Sequence, residues 1–203
     1  MAQRQKPQIR AAIMQSAFRE FSKRGYVDAT VPRIAAGARV STANFYVYFR
    51  SKLEVLFAIY EPWLREQLDK LEEETELIAN PQRRLSRILT VLWREIPAMN
   101  NGFSTNIMQA LSAGSRDEGY ESHIIRWAED KIAGMLRRAL VAAGAPPTDS
   151  KLIAHALFMA FDGFSLNYHL NPWAACTDET VETFCQLLLR GASSAAPRRI
   201  ARA

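Results

Sequence analysis

The sequence predicts an all-α protein in which a small N-terminal domain of three helices precedes a larger helical domain. Apolar residues recur with helical period along nearly the whole chain, and no stretch shows the sustained alternation of a β-strand. Clusters of Gly, Pro and Asn separate the periodic segments. With 203 residues, of which 48% are hydrophobic, the chain can bury a core in one or two domains.

The first two helices are delimited by residues with specific backbone preferences. The first is predicted over about residues 8–23, because Gly25 suits the left-handed conformation that ends a helix. The second is predicted over about residues 31–38, with Thr30 as its N-cap and Pro32 in its first turn.

Capping patterns predict where the third and fourth helices begin. Ser41 is a suitable N-cap for the third helix, and Val40 and Phe45 have the spacing of a hydrophobic staple around it. Ser51 and Glu54 have the spacing of a capping box at the start of the fourth helix. The second and third helices, separated by a turn, therefore form a helix-turn-helix.

The rest of the chain predicts long helices with short connections. They are expected near residues 52–77, 81–97, 103–113, 118–143, 149–170 and 178–190. We expect a helix-turn-helix domain in residues 1–54, a larger helical domain in residues 55–191 and a disordered basic tail in residues 192–203.

Charge is distributed unevenly between these parts. Residues 1–55 contain ten Lys or Arg and three Asp or Glu, a net charge of +7. The remaining 148 residues contain 16 basic and 18 acidic side chains, a net charge of −2. A basic module joined to a slightly acidic one suggests that the first meets a polyanion and the second does not.

Several classes of protein do not fit the sequence. No apolar run approaches the roughly 18 residues of a membrane span, and the N-terminus lacks the apolar core of a secretory signal. Two separated cysteines, Cys176 and Cys185, favour a reducing compartment, so we expect a cytoplasmic protein. The sequence has no P-loop, hydrolase nucleophile motif or complete metal-ligand set. We therefore expect no catalysis, no cofactor and no metal site.

The helix-turn-helix contains a distinctive run of residues. It comprises Ile34-Ala35, Ala38, Val40-Ser41, Phe45-Tyr46, Tyr48-Phe49 and Ser51-Lys52. This run resembles the signature of the TetR family of transcriptional regulators, and the resemblance covers roughly residues 8–56. It departs from the family pattern at Arg39 and Ala43, where Gly is frequent. A left-handed turn at Arg39 would cost about 1 kcal/mol, so the sequence leaves open whether the turn keeps its usual shape or is reshaped.

The core positions of this motif leave other side chains free to contact DNA. Thr42, Ala43, Asn44 and Val47 point outward from the third helix, the part of the motif that enters a major groove. An outward Asn44 could pair with adenine, and the flanking hydroxyls, Tyr side chains and Lys52 could reach phosphates. The predicted DNA contacts are Thr30, Arg33, Ser41, Thr42, Ala43, Asn44, Tyr46, Tyr48 and Lys52.

The second domain is rich in large apolar side chains, most of which must form its core. The family resemblance implies that some of them line a pocket for a small, largely lipophilic effector. The candidates are Trp93, Phe103, Met108, Trp127, Phe158 and Asp162. Asp162 lies within an apolar run, where an unpartnered carboxylate would be costly. It therefore faces either the pocket or a partner, at a dimer interface or in an internal pair.

A single helix-turn-helix reads only a few base pairs, so we expect a two-fold dimer on a palindromic site. The family resemblance implies an interface formed by the helices near residues 149–170 and 178–190. The sequence thus predicts a homodimeric, effector-responsive regulator that binds double-stranded DNA and is by default a repressor. The alternative is a ligand-binding or scaffold protein whose helix-turn-helix serves only for packing.

Overall fold

The computed structural model describes residues 2–99, 102–113, 123–144, 150–171 and 176–194. Their regular structure is helical throughout, which confirms the predicted all-α class. The helices are α1 (Ala2–Asp28), α2 (Val31–Gly37), α3 (Thr42–Tyr48), α4 (Lys52–Glu76), α5 (Pro81–Thr90), α6 (Ile96–Ala98), α7 (Phe103–Ala113), α8 (His123–Ala142), α9 (Ser150–Leu170) and α10 (Asp178–Ser194).

The chain forms two compact units. The first unit comprises Met1–Glu66 and Met99–Ser122, and the second comprises Gln67–Ala98 and His123–Ala203, within the limits of the described residues. The first unit therefore extends beyond the predicted domain of residues 1–54. It also contains the first part of α4 and all of α7, which packs against α1.

Helix α1 is longer than predicted. It continues past Gly25, which forms a kink with φ 74° and ψ 170°, and ends only at Asp28. The positive φ of Gly25 and its non-helical ψ interrupt the helix there, as predicted, and a further helical turn then runs on to Asp28. The resumed turn is stabilised because the backbone N–H of Tyr26 donates to Oε1 of Gln109 in α7 at 2.8 Å.

The predicted helix over residues 81–97 consists of three consecutive segments. Asn80 caps α5 by accepting a hydrogen bond from the N–H of Arg83 at 3.0 Å. A π-helical segment, Val91–Glu95, then joins α5 to α6. It carries Trp93, whose Nε1 donates to the carbonyl oxygen of Leu157 in α9 at 3.1 Å. The indole therefore links this segment to α9 within the second unit.

Ion pairs attach the second part of α4 to α8. The ammonium of Lys131 lies 2.6 Å from a carboxylate oxygen of Asp69 and 2.5 Å from one of Glu72, and Glu72 also pairs with Arg138. The hydrogen bond from Lys131 holds the pKa of Glu72 below its ordinary value.

Two predicted helix ends differ from the structure or fall outside it. Helix α10 continues to Ser194, four residues beyond its predicted end, and residues 195–203 of the predicted tail lie outside the described residues. Residues 118–122 of the predicted helix 118–143 also lie outside them. In the described part of the chain, no helix combines the length and hydropathy that crossing a membrane requires.

Candidate nucleic-acid interface

The helix-turn-helix is built on a small apolar core. Ile34 of α2 and Phe45 of α3 are fully buried, and Phe49 packs against Phe45 with ring centroids 5.9 Å apart. Helix α2 approaches α1 closely, because the buried hydroxyl of Ser16 donates to the carbonyl oxygen of Ile34 at 2.8 Å. A Cβ atom on Gly37 would lie only 2.3 Å from that hydroxyl oxygen. Any larger residue at position 37 would therefore displace the Ser16 hydroxyl.

The turn between α2 and α3 keeps the left-handed conformation. Arg39 has φ 59°, and the N–H of Val40 donates to the carbonyl oxygen of Ala35 at 3.0 Å. Arg39 therefore does not reshape the turn, a point that the sequence had left open. The helix-turn-helix instead carries a strain of about 1 kcal/mol at Arg39, since the surrounding hydrogen bonds and buried core hold the residue there.

Helix α3 begins as predicted. The hydroxyl oxygen of Ser41 accepts a hydrogen bond from the N–H of Asn44 at 3.0 Å, which fixes the start of the helix. At the predicted capping box of α4, the hydroxyl oxygen of Ser51 accepts from the N–H of Glu54 at 3.0 Å, as expected, whereas the carboxylate of Glu54 accepts from the N–H of Arg50 rather than from that of Ser51. Thr30 is the N-cap residue of α2, as predicted, although its side chain makes no capping hydrogen bond.

Four residues of α3 form its outward face. Thr42, Ala43, Tyr46 and Val47 are all exposed, with exposed fractions of 53% for Tyr46 and 74% for Val47. The ring of Tyr46 meets the buried ring of Phe45 edge-on, with centroids 5.4 Å apart and an interplanar angle of 88°. This contact orients the phenol, while Thr42, Ala43 and Val47 present small side chains to solvent.

The other predicted contacts of α3 are less accessible. Asn44 and Tyr48 are only half-buried, and they lie beside the buried face of the helix rather than on its outward face. Pairing of Asn44 with adenine stays a prediction, as does a phosphate contact by Tyr48.

Lys52 has a role in the fold that its sequence position does not indicate. Its ammonium donates hydrogen bonds to three backbone carbonyl oxygens at the end of α1, those of Tyr26 at 2.6 Å, Val27 at 3.3 Å and Ala29 at 2.8 Å. It also lies 4.2 Å from the centre of the Tyr26 ring. A cation at the end of a helix satisfies carbonyl groups that have no partner within the helix. The ammonium of Lys52 thus already has acceptors within the protein. Its contact with a DNA phosphate stays a prediction.

Exposed cationic side chains lie within α2, in the turn between α2 and α3, and just after α3. Arg33, which was predicted to contact DNA, is exposed in α2, and Ser41 and Thr30 are exposed beside the turns. Arg39 and Arg50 are also exposed and were not among the predicted contacts. Their sequence positions, one in the turn and one after α3, gave no sign that their side chains would reach solvent next to the recognition helix.

Two of the predicted effector residues belong to the first unit. Phe103 is buried in an aromatic cluster with Trp63 at 4.9 Å, Tyr60 at 5.8 Å and Phe18 at 5.7 Å between ring centroids. Met108 is half-buried in the same helix, α7.

The other four predicted effector residues belong to the second unit, so the six do not form one cluster within either unit. Trp93 is buried against the rings of Phe164 and Phe184, at 5.1 and 4.8 Å. Phe158 is buried in α9, and Trp127 is half-buried in α8. A role for these residues in effector binding stays a prediction.

Asp162 is half-buried in α9 without an ionic or hydrogen-bonding partner among the described residues. Burial raises the pKa of its carboxyl group to about 6. On α9 it lies between the buried Phe158 and the exposed Met159, at the border of the apolar face. Neither of the predicted orientations, toward a pocket or toward a partner, is favoured by this position alone.

Comparison with known proteins shows what this site is similar to. Residues 13–59 match the model of the family described as bacterial regulatory proteins of the tetR family, and this segment contains all of α2 and α3. The chain is 30% identical over 84 residues to the HTH-type transcriptional regulator EthR of Mycolicibacterium smegmatis. This match covers 41% of the chain and only 39% of that relative, so the similarity spans about two fifths of either protein.

Solved structures share the fold over nearly the whole chain. A TetR-family transcriptional regulator from Pectobacterium atrosepticum has a TM-score of 0.67 and 18% identity, covering 95% of this chain and 97% of that one. The transcriptional regulator FadR from Bacillus subtilis, solved in complex with stearoyl-CoA, has a TM-score of 0.60 and 16% identity, covering 92% and 99%. At these identities the similarity establishes the architecture of an N-terminal helix-turn-helix domain followed by a larger helical domain.

Proposed function

The chain belongs to the TetR family of bacterial regulatory proteins, and we propose that it is a homodimeric repressor that binds a palindromic operator through α3 and is released by a lipophilic effector. The observation that carries this proposal is the outward face of α3. Thr42, Ala43, Tyr46 and Val47 are presented to solvent on a capped helix, within a segment whose net charge is +7. A helix so exposed in a basic module fits the major groove of B-DNA.

A packing role alone explains α3 poorly. A helix-turn-helix that served only to fill the core would bury its small and aromatic side chains, whereas Val47 and Tyr46 are more than half exposed. Exposed guanidinium groups at Arg33, Arg39 and Arg50 supply candidates for phosphate contacts. The scaffold alternative therefore does not explain why these side chains of the motif are exposed.

Exposed apolar side chains on α9 and α10 support the proposed dimer. Leu152 and Met159 on α9 are 66% and 47% exposed, and Leu187 on α10 is 58% exposed. The pair on α9 is seven residues apart, so both side chains lie on one face of the helix. Pairing these two helices with those of a second copy would remove this surface from water, and it would place two copies of α3 on one palindromic site.

The proposed effector is lipophilic because the second unit is rich in aromatic and aliphatic side chains. The structure of FadR from Bacillus subtilis was solved in complex with stearoyl-CoA, which indicates that this architecture can accept a long acyl chain. Trp93, Trp127, Phe158 and Asp162 of the second unit remain our candidates for contacting the effector, together with Phe103 and Met108 of the first.

Fluorescence anisotropy with DNA upstream of the protein's own coding sequence tests the proposed DNA binding. We expect a complex that survives excess unlabelled competitor DNA and weakens linearly in log–log coordinates as salt rises, with a slope of about −0.9 for each phosphate contacted. Absence of any complex at low salt would favour the scaffold alternative. Complexes that the competitor abolishes completely would show non-specific binding to a polyanion only.

The dimer and the effector need separate measurements. Leu187→Glu should raise the dimer dissociation constant in sedimentation experiments, whereas Val141→Glu, at a similarly exposed position of α8, should not. Stearoyl-CoA should release the protein from its operator, and coenzyme A without an acyl chain should not. Release by neither compound would contradict an acyl effector, and release by both would indicate recognition of the nucleotide portion.

A further inference from the structure

The outward face of α3 has an unusual composition for a basic DNA-binding module. Thr42, Ala43, Tyr46 and Val47 form this face, which therefore contains no Lys, Arg, Asn or Gln. Val47 is the most exposed of the large apolar residues in the described part of the helix-turn-helix, at 74%. Ala43 and Val47 are four residues apart, so their alkyl groups lie side by side along about 6 Å of helix.

This composition restricts which bases the face can recognise. Guanine is usually read by Arg or Lys and adenine by Asn or Gln, through paired hydrogen bonds to base edges. The outward face offers neither kind of side chain, and Asn44 lies off it and is half-buried. The major groove presents one apolar feature, the C5-methyl group of thymine, and alkyl side chains are its natural partner.

We propose that Val47 recognises the C5-methyl group of a thymine in each operator half-site, with Ala43 packing beside it, so that operator preference arises from methyl groups. This inference rests on the proposed function. The basic charge of residues 1–55 favours DNA over an apolar protein as the occupant of this exposed alkyl surface. The edge-on contact between Phe45 and Tyr46 orients the phenol and leaves the isopropyl group of Val47 unobstructed.

Replacing thymine by deoxyuridine tests this inference, because it removes the methyl group and leaves every hydrogen-bonding atom of the base unchanged. The preferred duplex is first selected from a random library, and each thymine of one half-site is then replaced in turn. At one or two adjacent positions we expect affinity to fall about fourfold, which corresponds to the transfer free energy of one methyl group, about 0.8 kcal/mol. At the other thymines we expect no change.

The variant Val47→Ala identifies the side chain responsible. It should bind the selected duplex more weakly, and it should no longer respond to deoxyuridine at the position that Val47 contacts. Val141→Ala is the matched control, because Val141 is 59% exposed and lies on α8 in the second unit. That variant should respond to deoxyuridine as the wild type does.

The outcomes separate this inference from the proposed function. A protein that selects a defined duplex but tolerates deoxyuridine at every thymine overturns methyl recognition and leaves the regulator intact. The same holds if Val47→Ala retains the full response. A protein that selects no duplex at any salt concentration overturns the proposed function, and methyl recognition with it.

Discussion

The side-chain amide oxygen of Gln109 in α7 accepts the backbone N–H of Tyr26 in α1 at 2.8 Å, immediately after the kink at Gly25. A Cβ atom on Gly25 would lie 2.9 Å from that same oxygen, so a larger residue at position 25 would push the Gln109 side chain away from this hydrogen bond. The kink brings the last turn of α1 to the position where its carbonyl groups accept hydrogen bonds from Lys52 at the start of α4. Helices α1, α4 and α7 are thus joined within the first unit by polar contacts at one point.

Replacing Gln109 tests whether α7 supports the DNA-binding part of the chain. Gln109→Leu leaves the N–H of Tyr26 without its acceptor, and we expect a loss of about 1–2 kcal/mol in the stability of the first unit. Hydrogen–deuterium exchange of α1 peptides measures it. Gln109→Glu keeps an acceptor oxygen and should exchange nearly as slowly as the wild type. Equal exchange of the Leu variant and the wild type would contradict a stabilising role.

Lys52→Met separates a structural role from a phosphate contact. Removal of the ammonium leaves the carbonyl groups at the end of α1 without a charged donor, so we expect a loss of about 1–3 kcal/mol in the stability of the first unit. The exposed Lys23→Met is the control and should have little effect. A phosphate contact predicts instead that the slope of log affinity against log salt falls by about one, without loss of stability. Measuring unfolding and the salt slope on both variants decides between the two roles.

Ser16 and Gly37 form a pair whose substitutions should not be additive. Gly37→Ala places a methyl group against the Ser16 hydroxyl, displacing it from the carbonyl oxygen of Ile34, so we expect destabilisation of about 1–3 kcal/mol. In the double variant with Ser16→Ala, the nearest remaining atom is the Cβ at 3.5 Å, an ordinary contact.

Urea unfolding of the two single variants and the double variant provides the test. We expect the double variant to be more stable than Gly37→Ala alone, since the clash is gone. Gly163→Ala is the matched control, because a Cβ atom there meets nothing within 4 Å and a helical alanine is favourable. A double variant no more stable than Gly37→Ala would show that the hydroxyl is not the obstacle.

Asp162 should make the stability of the second unit depend on pH. Its pKa is raised to about 6 by burial, so the folded chain binds a proton more readily than the unfolded chain. Protonation of Asp162 therefore contributes to the free energy of unfolding. This contribution is fully present below the ordinary pKa of aspartate and is lost as the pH rises through about 6. Between pH 5 and pH 8 the loss should be about 1 kcal/mol.

The variant Asp162→Asn should lack this dependence. The free energy of unfolding of the variant minus that of the wild type should therefore increase from pH 5 to pH 8. The exposed Asp28→Asn should follow the pH profile of the wild type. Parallel profiles for Asp162→Asn and the wild type would contradict a raised pKa.

Local chemistry was sufficient to predict the frame of the helix-turn-helix. The caps at Ser41 and Ser51 and the buried position of Phe45 follow from interactions within four residues along the chain, which the sequence displays directly. The turn at Arg39 shows the limit of such reasoning. Its local preference opposes the left-handed conformation, but the packing of Ile34 and Phe45 on either side determines the turn.

Features that depend on distant contacts could not be predicted. Gln109 and Tyr26 are separated by 83 residues, and nothing in either segment indicates that they meet. The use of Lys52 at the end of α1 and the place of Phe103 in the first unit have the same origin. The outward direction of the α3 side chains was predictable from helical period, whereas the half-burial of Asn44 depends on neighbouring elements.

Recognition of DNA sequence by α3 is tested most directly by a specificity ratio. This ratio is measured for the wild type and for a variant that lacks the outward side chains of α3. The ratio compares affinities for the selected duplex and a scrambled duplex of equal composition, at physiological ionic strength. We expect about 10³ or more for the wild type. For the triple variant Thr42→Ala, Tyr46→Ala, Val47→Ala we expect a ratio near one, with most of the affinity for the scrambled duplex retained. A wild-type ratio near one, or a triple variant that keeps the full ratio, would contradict recognition of DNA by α3.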